Sequence, residues 1–391
     1  METKPDPVLL AAYYKAQDPT LTQREIGEKA NLGTQAQVSR LLTEAREKGY
    51  LREIFEFPAA LPPEERRKIE NSFFHRHSEL EDALAQRARE LNDTRSGGGS
   101  PFRRLHVVAA PGLEDDKARD KAFQYFGASA AEIVAGYIDE ADECSVAWGR
   151  TIEATVRHVR PRSTSLEWKK TFMPIAGEPT NHEPNGVSPS DAARTLAAAW
   201  PGSEHLSLRG VQARIPKSVH ERDRDNIARA LVGYSKNYQK IFGVPGGQDR
   251  PLIAQVPMIL TGIGDVHTSE RTSESASGAD PWYLETASAE DRSVLELAVG
   301  NIGGVWIARG DIEEADKKNV EQVNERWLGA QHDDFKHCSL TADMIRHRPG
   351  VVVLAVEPEK AKIILEALYL MNVLIVSSQL ADTLARTLLG H

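Results

Sequence analysis

Two short stretches carry residue types whose chemistry depends on how they are held. The first is Trp148-Gly149-Arg150-Thr151, which follows the apolar run 144–147 and leads into a helix-like segment, 151–159. A strand that ends at Trp148 and a helix that starts near Thr151 leave the N–H groups of Gly149, Arg150 and Thr151 unpaired and pointing outward. Those donors, the positive helix end and the Thr151 hydroxyl suit an anionic oxygen. Arg150 could add a bidentate contact. The alternative is a tight turn at Gly149 with Arg150 in solvent. Other candidate clusters are weaker. His332, Asp333, Asp334, His337 and Cys338 are close in sequence, but their spacing matches no common zinc pattern. His75 and His77 lie in a densely charged segment. The Gly-rich run 243–248 lacks the Lys-Ser/Thr of a phosphate-binding P-loop. No Gly-x-Ser-x-Gly or His-Glu-x-x-His occurs. Neither a metal nor a cofactor is expected.

The second stretch is 34–42, Thr-Gln-Ala-Gln-Val-Ser-Arg-Leu-Leu. Thr34 reads as the cap of a helix that ends at Gly49, a natural stop. Thr22, with Glu25 three residues on, forms a capping box for the helix before it. A third apolar stripe, Val8, Leu9, Ala12 and Tyr13, precedes both, and the short turn 31–33 joins the last two. Three helices with one tight turn make a helix-turn-helix pattern. In that arrangement Val38, Leu41 and Leu42 face inward, while Gln35, Gln37, Ser39 and Arg40 project toward a major groove. Gln pairs bidentately with adenine and Arg with guanine. Thr22, Gln23 and Arg24 could hold phosphates at a helix N-terminus. Charge argues the other way: residues 1–57 contain eight Lys/Arg against nine Asp/Glu, so a small bundle that binds protein, or nothing, stays open.

The elements that must position these residues divide the chain. At 391 residues two domains are expected, and 40% hydrophobic content suffices for real cores. Two cysteines, Cys144 and Cys338, argue against a disulfide framework and favour a reducing compartment. No secretory signal and no run of about 18 apolar residues is found, so a cytoplasmic location without a membrane span is expected. A net charge of −9 opposes whole-surface attraction to nucleic acid but not a local patch. Residues 1–57 form the helix-turn-helix domain. Residues 58–101 form a linker: the stiff run 58–63, a charged helix with Ile69, Phe73, Leu80, Leu84 and Leu91 on one side, and the flexible joint 93–101. That helix is either solvated or dimer-forming. Residues 102–391 alternate short apolar runs (104–110, 144–149, 170–177, 205–210, 254–264, 351–356, 372–378) with helical stretches (122–140, 151–159, 191–200, 291–297, 360–369). Such alternation predicts an α/β fold with a mostly parallel, doubly wound sheet and helices on both faces.

Gln23-Arg24-Glu25-Ile26-Gly27, Val38-Ser39-Arg40-Leu41-Leu42 and Ala45-Arg46-Glu47-Lys48-Gly49 together resemble the N-terminal module of SorC/DeoR-like sugar-responsive transcriptional regulators. The likeness continues through Trp-Gly-Arg-Thr (148–151), the strand ending in Gly177, Gly262-Ile263-Gly264-Asp265, the segment around Asn301, and the helix opening at Lys360. It leaves out about 72–100 and 267–290, which look like insertions. The resemblance implies a Rossmann-like effector-binding domain shaped like sugar-phosphate isomerases. It also implies that Gly149, Arg150, Thr151, Gly177, Gly262, Gly264, Asp265, Asn301 and Lys360 line the effector pocket, with the phosphate on the 149–151 loop. Three departures matter. Val356-Glu357 stands where the family has Gly-Gly, Asn301 replaces an Asp, and Val376-Ser377-Ser378 replaces Thr-Asp-Glu. A ligand other than the usual sugar phosphate, or a rebuilt pocket wall, follows.

The expected function is a ligand-responsive regulator that binds double-stranded operator DNA, controlled by a sugar, sugar phosphate or related acid, and assembled as a homo-oligomer, dimer or tetramer. A sugar-phosphate isomerase or deaminase is the alternative. It would need a general base beside the loop and would have no use for residues 1–57.

Overall fold

The computed structural model describes residues 6–17, 21–47, 63–94, 101–110, 116–162, 169–178, 188–213, 233–243, 250–264, 293–325, 327–344 and 348–390. The chain forms two compact units, Met1–Glu70 and Asn71–His391.

The first unit holds α1 (Pro7–Gln17), α2 (Gln23–Ala30) and α3 (Gln35–Glu47). Their contact is a small core of Val8, Ala11, Ala12, Leu21, Ile26, Val38, Leu42 and Ala45, with Leu41 partly buried. The inward face of α3 is therefore the expected one. That of α1 is rotated: Leu9 and Tyr13 are 47% and 58% exposed, and Ala11 is buried instead. Small alanines let α1 approach its neighbours closely, which turns the larger Leu9 and Tyr13 outward. Between α2 and α3 the chain turns through Asn31 in the left-handed region (φ 51°) and Gly33 (φ 85°). A Cβ on Gly27 would lie 2.8 Å from the Gly33 carbonyl, so only glycine lets the turn fold back on α2.

The second unit is a parallel sheet, in order β1 (Arg104–Val108), β9 (Val373–Ser377), β8 (Gly350–Ala355), β5 (Met258–Gly264), β2 (Glu143–Val146), β3 (Thr171–Pro174) and β4 (Glu204–His205). Alternation along the strands splits the core between two faces. Met258, Leu260, Val352, Leu354 and Ile375 pack with Phe123, Phe126 and Val134 of α5 (Asp116–Asp139), Ile152 of α6 (Arg150–Val156) and Leu196 of α7 (Pro189–Ala199). Ile259, Val351, Val353 and Leu374 belong to the opposite cluster. There they join Phe335 of α10 (His332–Met344), Ile364 of α11 (Ala361–Ala367) and Leu384 of α12 (Ser378–Leu389). Two further helices, α8 (Lys236–Phe242) and α9 (Glu314–Asn324), also belong to the second unit. Successive strand residues point to opposite faces, so the all-apolar Val351–Ala355 run marks a strand covered on both sides.

Helix α4 (Pro63–Thr94) contributes Leu80, Leu84, Ala88 and Leu91 to the second of these clusters. Its described apolar stripe is thus taken up within the chain; the side chains of Ile69 and Phe73 lie outside the described residues. The expected strand 205–210 shrinks to two residues. Conversely, β6 (Ala298–Ile302) and β7 (Val305–Ala308) form an antiparallel hairpin that periodicity does not reveal. Gly303 and Gly304, at φ 55° and 93°, form its two-residue turn, which needs positive φ at both positions. The hairpin continues the sheet from the end of β5, where Gly264 pairs with Asn301.

Candidate functional site

In the first unit, the capping geometry sets which side chains of α3 stay free. Glu25 N–H donates to Thr22 Oγ1 (3.3 Å) and Thr22 N–H donates to Glu25 Oε2 (2.7 Å), a complete capping box at α2. The same reciprocal pattern opens α3. Gln37 N–H donates to Thr34 Oγ1 (3.4 Å), and Thr34 N–H donates to Gln37 Oε1 (2.8 Å). Gln37 therefore uses its amide oxygen on its own helix and keeps only its NH2 for outside contacts. Gln35 and Arg40 are exposed and Ser39 is half-buried. Thr22 is exposed, Gln23 half-buried, and Arg24 is exposed with an ion pair to Glu28 at 3.0 Å. The residues expected to meet DNA thus share the outer side of α2–α3, opposite the core formed by Ile26, Val38 and Leu42.

In the second unit, the chain runs outward from β2 to β3 and β4, then returns to β5 on the other side of β2 and continues to β8 and β9. The order reverses between β2 and β5, and ligands of open α/β sheets bind outside the strand C-termini at such a switch. Gly149, Arg150 and Thr151 follow β2. Gly262 and Gly264 close β5, and Lys360 follows β8, so these expected residues do converge. Gly149, at φ 116° with open space where a Cβ would stand, makes the sharp exit into α6. One of the nine, Gly177, goes elsewhere, and Asn301, paired with Gly264 at the end of β5, serves as a brace there. A Cβ on Gly177 would lie 2.6 Å from the carbonyls of Val211 and Gln212, and its N–H donates to the Leu328 carbonyl at 2.9 Å. That geometry describes a packing glycine. Asn301 is buried and its Oδ1 accepts from Gly304 N–H at 3.2 Å, bracing the β6–β7 turn. Asp265 lies outside the described residues.

Glu357 organises the charges at this edge. It follows β8 and is 8% exposed. Arg150 Nη2 donates to its Oε1 at 3.3 Å, Arg119 Nε lies 3.7 Å from the same oxygen, and Lys360 Nζ lies 3.7 Å from Oε2. The Arg150 guanidinium also rests on Phe123, 4.5 Å from the ring centroid. Arg119 and Phe123 are missed by motif reading. The available signal was their spacing on α5, four apart and so on one helix face. Ser377 is also structural: its Oγ donates to the Val356 carbonyl (2.5 Å) and accepts from Leu380 N–H (3.2 Å), capping α12 and fixing the chain just before Glu357. Trp148 lies against the buried Trp327 at the exit of β2, with centroids 5.5 Å apart and the rings tilted by 31°.

The discounted cluster is dispersed. His332 bonds the Tyr369 hydroxyl at 2.8 Å and Arg250 bonds His337 at 2.6 Å. Burial raises the Cys338 thiol to about 12, which makes a poor ligand at neutral pH. Among the described residues no three metal-type side chains come together, and no helix is long and apolar enough to cross a membrane.

No family model matches the chain, and no curated protein sequence does. Solved structures do. The full-length sorbitol operon regulator SorC from Klebsiella pneumoniae is similar at 17% identity, with a TM-score of 0.57 over 98% of this chain and 99% of that one. A DeoR family transcriptional regulator from Listeria monocytogenes is 14% identical, with a TM-score of 0.50 over 79% of this chain and 99% of its own. At such identities the likeness establishes the fold: a mixed α/β architecture shared with regulators of the SorC/DeoR type.

Proposed function

We propose that this protein is a transcriptional regulator that reads operator DNA with α3 and senses a carbohydrate-type effector at the strand ends of its second unit. The observation that carries the reading is that α3 presents Gln35, Ser39 and Arg40 outward from a capped, glycine-closed helix-turn-helix, and that this unit shares one chain with a sheet whose ligand edge is lined by Gly149, Arg150, Thr151, Gly262, Gly264 and Lys360. A regulator needs both; an isomerase or deaminase needs only the second. Among the described residues, that edge is also poor in groups for acid–base chemistry. Among the described residues, the acidic side chain that reaches Arg150 and Lys360 is Glu357, already committed to three cations. Asn301 and Ser377 hold backbone groups.

The near-neutral charge of residues 1–57 makes a single module a weak DNA binder, so pairing of copies, dimer or tetramer, supplies the avidity. Half-site spacing is then fixed by the assembly. Effector binding shifts operator affinity through its different affinity for two arrangements of the protein.

The test is duplex selection from a random pool with the full chain, followed by affinity measurements on the recovered sequence. Arg40→Ala should weaken the selected site by about 1–3 kcal/mol while leaving scrambled DNA and thermal stability unchanged. If no sequence is enriched, or if Arg40→Ala binds the enriched site as the parent does, the assignment of α3 is wrong. A thermal-shift screen of the same protein against sugars, sugar phosphates and sugar acids identifies the effector class.

A further inference from the structure

Three cations from three separate places meet at one point of the strand-end edge: Arg119 from the first turn of α5, Arg150 from the exit of β2, and Lys360 from the exit of β8. Two forked guanidiniums and an ammonium converging on one point, Arg150 at hydrogen-bond distance and Arg119 and Lys360 at ion-pair distance, form a constellation that holds a doubly or singly charged oxyanion. Here the chain fills it. Both carboxylate oxygens of Glu357 are engaged, Oε1 by the arginines and Oε2 by the lysine, and the side chains are 10% exposed for Glu357, 7% for Lys360 and 25% for each arginine.

The occupant is also held rigidly. Pro358 follows it, restricting its backbone to the extended region (φ −81°, ψ 133°). Ser377 clamps the preceding carbonyl. Phe123 beneath Arg150 fixes the guanidinium from the other side. Swinging Glu357 aside to admit an external anion would leave three largely desolvated cations competing for that anion and would strip the carboxylate of its partners. That exchange gains little.

We infer that Glu357 is a built-in occupant of the anion position, so that the effector of this protein brings neither phosphate nor carboxylate to Arg150. The ligand class is an uncharged polyhydroxylated molecule, which brings no charge to compete with Glu357 for the three cations. This rests on the reading of the strand-end edge as the effector site.

The experiment titrates inorganic phosphate, against potassium chloride at matched ionic strength, into the full-length parent and the Glu357→Gln variant while following thermal unfolding. The parent should show no saturable shift. Glu357→Gln, which keeps the shape and removes the charge, should melt several degrees lower and regain most of that loss as phosphate saturates, with an apparent affinity about tenfold or more above any parental response. Adding Arg150→Ala to the variant should abolish the rescue. Saturable stabilisation of the parent by phosphate overturns the inference. So does a folded Glu357→Gln, checked by circular dichroism, that phosphate leaves unmoved. Should the variant not fold in chloride, it is refolded in phosphate: recovery there supports the inference, and failure in both salts overturns it. Operator binding separates the two readings. Release of DNA by an uncharged sugar, with phosphate-insensitive Glu357→Gln, retains the effector site and removes this inference. Phosphate rescue with no ligand effect on DNA binding does the reverse.

Discussion

In α3 the outward residues, Gln35 to Arg40, fall within six positions of one another, and the turn and caps that aim them are their immediate neighbours. Around Glu357 the charged groups come from positions 119, 150, 357 and 360, joined only because β2 and β8 flank β5. The first surface is specified locally, by Thr34 with Gln37 and by Gly27 against Gly33. The second depends on strand order, and on side chains such as Ser377 that hold backbone groups in place. The comparison predicts that changes in the first region alter recognition at little cost in stability. In the second, function and stability fall together.

The largest expected effect tests the non-local side. Asn372 is fully buried at the start of β9. Its Oδ1 accepts from Val351 N–H (2.9 Å) and its Nδ2 donates to the carbonyls of Pro101 (2.7 Å) and Ser339 (3.0 Å). Asn372→Leu orphans three backbone groups and should cost about 4 kcal/mol, read in urea unfolding of the second unit. A loss below about 1 kcal/mol in that measurement would show that the sheet edge does not depend on long-range bracing.

A smaller effect comes from pH. His106 of β1 bonds the Tyr137 hydroxyl at 2.8 Å, and burial, with the Arg104 guanidinium second, lowers it to about 4 from its usual 6.5. Because the folded form resists protonation, the unfolded chain binds the extra proton between those two values. Stability should therefore decline as pH falls from 6.5 to 4, by about 2 kcal/mol once the half-buried ring's contact with water is discounted, and should lose nothing more from this group below that. His106→Gln should flatten the slope in that window. An unchanged slope would assign the acid sensitivity elsewhere.

The smallest effect sharpens the local side. Gln37→Ala removes half of the α3 capping box and should cost about 1 kcal/mol. Gln37→Glu preserves an acceptor for Thr34 N–H and should restore that stability. If Gln37 also offers its NH2 to a base, Gln37→Glu should nonetheless lose affinity for the selected DNA. Equal DNA affinity in parent and Gln37→Glu would leave Gln37 a purely capping residue.

Much of the fold was legible because its signals are local or periodic. The strands around 104–108, 258–264, 350–355 and 373–377, and the helices of the first unit, show themselves as apolar runs, stripes and caps. The β6–β7 hairpin was hidden because its strands are four and five residues long and its glycines read as loop. The rotated face of α1 was hidden because nothing in Val8-Leu9-Leu10-Ala11-Ala12-Tyr13 says which apolar stripe a neighbour will cover.

The candidate site divides along the same line. Sequence by itself determined that residues 148–151 turn from a strand into a helix and that α3 holds Gln35, Ser39 and Arg40 away from its apolar face, because backbone donors and caps act over three or four residues. Only the tertiary structure decided that Gly177 packs against backbone, that Asn301 and Ser377 serve as braces, and that Glu357 fills the space between Arg119, Arg150 and Lys360. A charged side chain's role is set by the charges folded around it, and those come from places in the chain that no local pattern connects.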